Sequence, residues 1–160
     1  MEKKTEDRLE RRWLAKPLHL IDTSVMLELL TPRSAEARRH CERYISRIGK
    51  VYRGCVSTLI LGEFAEAALR TSNPELPLGF LPSFISRKQV VVLPLGQQAI
   101  QFAQTLRETE TRLEHYDSLH LATAGHEGCS AFVTIDAGII RNLQLERLLK
   151  LKIAHPKELI

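Results

Sequence analysis

Short apolar runs alternate with amphipathic helical patterns along most of this chain of 160 residues. The apolar runs predict strands at 18–22, 54–57, 89–93 and 131–135, with a weaker one at 151–153. Regular alternation of strands and helices predicts an α/β fold, here a three-layer α/β/α sandwich with a central parallel sheet of about five strands. The third run, Gln-Val-Val-Val-Leu, has so little polar alternation that we expect it to be buried on both faces.

The chain divides into a charged extension, residues 1–16, and a single domain, residues 17–160. The extension carries charges of both signs and could add a frayed helix to the domain. Within the domain, residues 71–86 contain three prolines among apolar residues, so we predict a turn and one short irregular helix there.

Composition excludes several classes of protein. The three cysteines, Cys41, Cys55 and Cys129, are widely spaced and form no Cys-x-x-Cys pair, which predicts reduced thiols in a cytoplasmic protein. The amino terminus has no apolar segment of the kind found in a signal peptide or an anchor, and no apolar run is long enough to span a bilayer. Histidines and cysteines lack zinc-ligand spacing, and no glycine-rich phosphate loop follows a strand.

Only four residues of the chain are aspartates, and three of them lie where an apolar run meets a helical pattern: Asp22, Asp117 and Asp136. Each could simply cap a helix, because Asp is favoured at that position. The carboxyl ends of parallel strands, however, meet at one edge of a sheet, where ligands of α/β proteins bind. Clustered carboxylate oxygens are hard ligands that suit Mg²⁺ or Mn²⁺, and they point to phosphate chemistry.

Glu63 is a fourth candidate. On a helix running from Thr58 to Arg70 it lies at the border of the buried face, within reach of the same sheet edge. Glu66 pairs naturally with Arg70 one turn later, so we expect it at the surface. On periodicity alone, Glu63 could equally be a half-exposed residue that favours solubility.

Four segments in order carry a family resemblance: residues 18–24, 57–63, 116–124 and 132–136. Together they resemble the PIN-domain ribonucleases, including the toxin nucleases of VapBC-type toxin–antitoxin systems. The resemblance implies a sheet in the order 3-2-1-4-5 and metal-dependent cleavage of single-stranded RNA. It also implies a catalytic and metal-binding site made of four acids, Asp22, Glu63, Asp117 and Asp136.

Two hydroxyls, Ser24 and Thr134, resemble supporting residues of that family site; helix capping and ordinary β-propensity explain them equally well. After Asp136 the chain reads Ala-Gly-Ile where many relatives have another aspartate, so the resemblance fits a site for either one or two metal ions. In this interpretation Asp22 and Asp117 bind metal, and Asp136 binds it directly or through water. Glu63 is a ligand or the base that orients water, and the products carry 5′-phosphates.

Basic residues supply candidate contacts to RNA. From Arg33 to Arg53 there are seven basic and two acidic residues, and a helical pattern puts three of the arginines on one face: Arg39, Arg43 and Arg47. Arg112 and Arg141 are further candidates for binding phosphates. The alternative for all five is a solvated surface that keeps the protein soluble.

A second class of function also fits the sequence, a PIN-like scaffold that binds RNA or a protein without cutting. The apolar residues between 76 and 85 could form the surface of a homo-oligomer, a dimer, or bind an antitoxin; burial against neighbouring helices is the alternative. His120 follows Asp117 by three residues and could reach the acidic site, although a packed or surface histidine fits the pattern better.

Overall fold

The computed structural model describes residues 2–160, with side chains from Thr5 onward. Five parallel strands form its central sheet. They are β1 (Leu18–Ile21), β2 (Arg53–Ser57), β3 (Val91–Leu93), β4 (Ala131–Val133) and β5 (Lys152–Ala154). Their order is β3-β2-β1-β4-β5, and every neighbouring pair is parallel. The predicted fold class and strand order are therefore confirmed.

Helices connect the strands. They are α1 (Glu2–Leu14), α2 (Thr23–Leu30), α3 (Ala35–Arg47), α4 (Thr58–Leu69), α5 (Glu75–Lys88), α6 (Gln97–Thr109), α7 (His115–His126) and α8 (Leu143–Leu149), followed by a 3-10 helix (Pro156–Leu159). Contacts join α2 to α3 and α4, and α4 to α5, whereas α7 contacts α6 and α8. Because parallel crossovers are right-handed, α2–α5 cover one face and α6–α8 the other.

Connections leave β1 and β4 in opposite directions along the sheet, so these neighbouring strands flank a topological switch point. Both strands are firmly buried: Leu20, Ile21 and Phe132 have no exposed surface. Phe64 of α4 and Tyr44 of α3 are the other largest side chains in the core. This packing fixes the carboxyl ends of β1 and β4 beside each other. None of the helices in residues 2–160 is long and apolar enough to cross a membrane.

Residues 71–86 differ from the sequence prediction, because most of them lie in α5, a regular helix of 14 residues. Pro77 is in the first turn, where a missing N–H costs little, and only Pro82 lies inside the helix. Phe80 packs between Phe64 and Phe84, with ring centroids 6.2 and 5.5 Å away. Burial of these rings outweighs the hydrogen bond that Pro82 removes. The prediction of a short irregular helix was wrong.

Two further local predictions need correction. β3 is an edge strand, and Val91 and Val92 are 37% and 40% exposed, so it is not buried on both faces. Asp117 does not open its helix: Glu114 is at the cap position of α7, and Asp117 is in the first turn. Its side chain is therefore not used as a cap, which removes the simple explanation for an aspartate at this point in the sequence.

Candidate acidic site at the carboxyl edge of the sheet

Asp22 follows β1 directly and occupies the cap position of α2, yet its side chain makes no capping hydrogen bond. Its Oδ2 instead accepts hydrogen bonds from Ser24 Oγ at 2.5 Å and from Thr134 Oγ1 at 2.8 Å. The backbone N–H of Asp22 donates to Val133 O, which holds the end of β1 against the end of β4. The carboxylate is thereby fixed in one orientation at the switch point.

Thr134 connects Asp22 to Asp136, since its Oγ1 also accepts a hydrogen bond from the Asp136 backbone N–H at 3.1 Å. Ser24 Oγ accepts from the N–H of Ile135 at 3.3 Å. Asp136 itself is exposed, and its Oδ1 accepts from the N–H of Gly138 at 2.8 Å in a local turn. The two hydroxyls thus support both aspartates that follow β1 and β4.

Glu63 reaches the same edge from α4. Its Oε2 lies 2.6 Å from His120 Nε2 and accepts a hydrogen bond from Thr23 Oγ1 at 3.2 Å. The Glu63 side chain is 24% exposed, whereas that of His120 is 2% exposed. The His120 ring stacks near Phe132 of β4, so α4 and α7, from opposite faces of the sheet, are joined above the switch point.

The pKa of Asp117 indicates how close the acids are to one another. Burial, followed by the negative charges of Asp22 and Asp136, raises the pKa of Asp117 from 3.8 to about 6, and His120 acts in the opposite direction. The repulsion means that the structure brings the three aspartates into electrostatic contact. Glu63 joins the group through His120, which bonds to it and acts on Asp117. Asp22, Asp117 and Asp136 therefore lie near one another at this edge of the sheet, and Glu63 is connected to them through His120. The roles of all four as metal ligands remain a prediction.

The donor atoms suit a hard cation. Among the described residues, Asp117 has no hydrogen-bond partner for either carboxylate oxygen, and Asp22, Glu63 and Asp136 each keep one oxygen without a donor. Carboxylates that are close together and lack donors fit a divalent cation, which cancels their repulsion. In this conformation, however, no group of three or more His, Cys, Asp or Glu side chains in residues 5–160 is arranged so that it could hold a metal ion.

A family model described as "PIN domain" matches residues 19–143, which is most of the chain. The chain belongs to the PIN domain family. The match begins within β1 and ends at the start of α8, so it includes all four acids of this PIN domain. No curated protein sequence matches the chain.

Solved structures with the same fold come from toxin–antitoxin systems. The chain is similar to one in promoter-bound VapBC2 from Rickettsia felis, with a TM-score of 0.66 and 15% identity, covering 86% of this chain and 98% of that one. For DNA-bound VapBC from Salmonella typhimurium the TM-score is 0.62 and the identity 25%, and the match covers 88% of this chain and 98% of that one. For VapC20 from Mycobacterium tuberculosis, a sarcin–ricin loop cleaving toxin, the TM-score is 0.61 and the identity 17%, and the match covers 74% of this chain and 90% of that one.

None of the candidate arginines of this PIN domain forms an ion pair or hydrogen bond with the four acids among the described residues. Arg39 and Arg43 on α3 are exposed and Arg47 is half-buried; none of the three guanidinium groups donates a hydrogen bond to another described residue. Arg112 is exposed in the loop before α7. Arg141 follows the Asp136 turn, with its side chain 76% exposed and 3.7 Å from Glu158.

Sequence reasoning undervalued two residues that hold Glu63. His120 is three residues after Asp117, and that spacing puts both on one side of a helix, which is a signal for a shared cleft. Thr23 gave no such signal, because its bond to Glu63 spans 40 residues of sequence. Glu28 was also missed. It is 2% exposed and accepts hydrogen bonds from the Arg33 and Ser34 backbones, so it anchors the turn between α2 and α3.

Proposed function

We propose that this PIN domain is a divalent-metal-dependent endoribonuclease that hydrolyses single-stranded RNA and leaves 5′-phosphate and 3′-hydroxyl ends. The observation that carries the proposal is the proximity of Asp22, Asp117 and Asp136: burial, together with the negative charges of Asp22 and Asp136, raises the pKa of Asp117. A folded protein without use for a cation has little reason to keep such repulsion. PIN-domain proteins are generally nucleases that use divalent metals, which supports the same conclusion.

Each acid has a proposed role. Asp22 and Asp117 bind Mg²⁺ or Mn²⁺, Asp136 does so directly or through water, and Glu63 is a ligand or orients the attacking water. When bound, such an ion lowers the pKa of water and stabilises negative charge that develops on the leaving oxygen.

The protein's own contribution is orientation. Ser24 and Thr134 hold Asp22 through Oδ2 and leave Oδ1 without a hydrogen-bond donor among the described residues. His120 and Thr23 both bond Oε2 of Glu63, which leaves Oε1 to accept a proton from water or to bind metal. Locked carboxylates of this kind reduce the reorganisation needed during the reaction.

We further infer a cellular role as the toxin of a toxin–antitoxin pair, in the cytoplasm, with an antitoxin protein as partner and a homodimer as the active form. The structural relatives that are VapBC complexes support this inference. Residues 17–160 would form the catalytic domain and residues 1–16 an addition to it. In the structure these first residues include helix α1, which precedes β1.

A non-cleaving PIN-like scaffold is the second candidate, and one observation favours it. Glu63 is already engaged by His120, and the acids of residues 5–160 do not form a ready coordination shell. A scaffold would bind RNA or a protein without any dependence on Mn²⁺.

One cleavage experiment separates the two candidates. Single-stranded oligoribonucleotides and mixed cellular RNA are incubated with the purified protein, with Mn²⁺ or with a chelator, and the product ends are identified. We expect cleavage only with metal, and none from Asp117→Asn. Glu66→Gln is the matched control, because Glu66 is an exposed acid on α4 that pairs with Arg70. Cleavage by Asp117→Asn at the parent rate, or by the parent protein in chelator, would contradict the proposal.

A further inference from the structure

Two neighbouring surface hollows lie along the loop after β4, and the first of them includes Asp136 of the acidic site. One hollow of about 480 Å³ lies over Ser24 and Asp136, and a second of about 410 Å³ lies between that loop and the carboxyl-terminal 3-10 helix. Ile135 and Ala137 line both hollows, so the two lie side by side. We call the second hollow the side groove; its other lining residues are Ile140, Arg141, His155, Lys157 and Glu158.

The side groove is held in place by hydrogen bonds rather than left as an open loop. The carbonyl of Asp136 accepts from the N–H groups of Ile139 and Ile140, both at 3.4 Å. On the opposite wall, Glu158 accepts from the His155 N–H at 2.8 Å, and His155 Nδ1 accepts from the Lys157 N–H at 3.1 Å. Each wall is therefore held in shape by its own local hydrogen bonds.

Charge in the side groove is opposite in sign to that of the acidic site. Arg141 and Lys157 are exposed cations, and the ion pair of Arg141 with Glu158 is long, at 3.7 Å. Because Nδ1 of His155 accepts a hydrogen bond, the neutral ring carries its proton on Nε2 and is a donor there. Burial, Lys157 and His40 lower the pKa of His155, which favours this neutral form.

We propose that the side groove binds the part of a single-stranded RNA that flanks the cleaved bond, with Arg141 and Lys157 contacting phosphates. The identity of the ligand rests on the proposed function. Half-buried Ile135 and Ile140 give the groove an apolar floor for a ribose or a base. Its volume is that of a small-ligand site, room for about one or two nucleotides and not for a duplex.

Electrostatics explains why a flanking subsite is needed. The negative phosphates of an approaching strand are repelled by the three negative aspartates. Cations beside the acids can hold the strand while the reacting phosphate is positioned. Such contacts are made to the backbone, so they tolerate different sequences and weaken with added salt.

The test measures binding without metal, so that no cleavage occurs. Fluorescence anisotropy follows a labelled single-stranded oligoribonucleotide of about ten residues in chelator, at several salt concentrations. The variant is Arg141→Gln/Lys157→Gln. The control with the same charge change is Arg70→Gln/Arg87→Gln, two exposed arginines at the ends of α4 and α5. Melting curves check that both variants fold.

We expect the groove variant to bind about tenfold more weakly at low salt, with a salt slope lower by about 1.4, since each phosphate contact on a single strand contributes about 0.7. The control should bind within about twofold of the parent. In cleavage assays the groove variant should show a higher KM for the long RNA, an unchanged kcat, and parent-like kinetics on a dinucleotide.

Failures of the two proposals are distinguishable. If the parent cleaves RNA but the groove variant binds like the parent, or if the control weakens as much as the groove variant, the side groove is excluded and the nuclease stands. If RNA binding depends on the groove but Mn²⁺ produces no cleavage, the nuclease is excluded and the groove stands. Absence of RNA binding at low salt, or equally tight groove-dependent binding of an acidic peptide, overturns the groove proposal.

Discussion

At the amino end of the sheet, polar groups are buried and paired, whereas at the carboxyl end negatively charged groups lie close together and several of their oxygens have no hydrogen-bond donor among the described residues. His19, in β1, is 3% exposed; its Nδ1 lies 3.1 Å from Tyr44 Oη and its ring stacks on Tyr52 at 4.1 Å. A few residues after His19, just past the end of β1, Asp22 lies close to Asp117 and Asp136. The same sheet thus satisfies its polar side chains at one end and sets charges against each other at the other.

The difference shows where stability and function reside. A cluster such as His19 and the two tyrosines contributes packing and hydrogen bonds, and it needs no ligand to be stable. Like charges in a cleft reduce stability until a cation neutralises them, and proteins keep such conflicts mainly at functional sites. Substitutions at the two ends should therefore have opposite effects on activity and on the free energy of unfolding.

The largest expected effect is on catalysis. Asp22→Asn keeps the shape of the side chain but removes a negative charge, so metal-dependent cleavage should fall by at least about a hundredfold. The melting temperature of the metal-free variant should stay the same or rise, because repulsion with Asp117 is removed. Initial cleavage rates and thermal melting measure the two quantities. An active Asp22→Asn, or one that is strongly destabilised, would remove the contrast between the two ends.

The next effect is on stability at the amino end. Tyr44 is fully buried, and Tyr44→Ala should cost about 3–5 kcal/mol in the free energy of unfolding. Tyr44→Phe keeps the ring and loses only the hydroxyl near His19, at a cost of about 1 kcal/mol. Denaturant unfolding gives both values. Cleavage per folded molecule should be unchanged in Tyr44→Phe, and a drop comparable to that of Asp22→Asn would link the two ends functionally.

How much of each end of the sheet can be predicted from the sequence depends on how far apart in the sequence the interacting residues are. Periodicity predicted the strands and the position of Asp22 directly after β1, because an apolar run and its end are local features of the sequence. The contact of Thr134 with Asp22 spans 112 residues and that of Thr23 with Glu63 spans 40, so no spacing rule reveals them. A family resemblance supplied the order of the strands that periodicity could not.

Local rules failed where tertiary packing decided the outcome. Pro82 predicted a break that does not occur, because Phe80 packs on Phe64 of α4 and on Phe84, and these contacts hold α5 together. Val91 and Val92 form an apolar run that suggests burial, yet the strand is at the sheet edge, which depends on strand order and not on composition. Glu28 looks like a surface acid and is buried, because it satisfies the turn that follows α2.

Metal binding should stabilise the carboxyl end selectively. A cation that binds only the folded site adds about 2.7 kcal/mol at a hundred times its dissociation constant, which corresponds to a rise in melting temperature of about 5–10 °C. Thermal melting with increasing Mn²⁺ measures this. Tyr44→Phe should show the full rise and Asp117→Asn little or none. A parent protein whose melting temperature does not respond to Mn²⁺ would argue strongly against the acids as ligands.

The smallest predicted effect is on the pH dependence of stability in chelator. Burial lowers the pKa of His19 from 6.5 to about 4, so the folded state binds its proton more weakly than the unfolded state does. The contribution of His19 is therefore present above pH 6.5 and is lost as pH falls toward 4, on the order of 2 kcal/mol. Asp117 acts in the opposite sense: its pKa is raised to about 6, so its contribution is present below its ordinary pKa of 3.8 and is lost as pH rises through 6.

Between about pH 6.5 and pH 4 the two ends of the sheet thus oppose each other, and one substitution at each end separates them. Asp117→Asn removes the gain at the carboxyl end, so acidification should destabilise this variant more steeply than the parent. His19→Gln removes the loss at the amino end, so its stability should fall less steeply, although it starts lower. Denaturant midpoints across this range decide between the outcomes. Parallel curves for all three proteins would mean that neither group differs in pKa between the folded and unfolded chain, and an inverted order would place the buried proton-sensitive groups elsewhere in the fold.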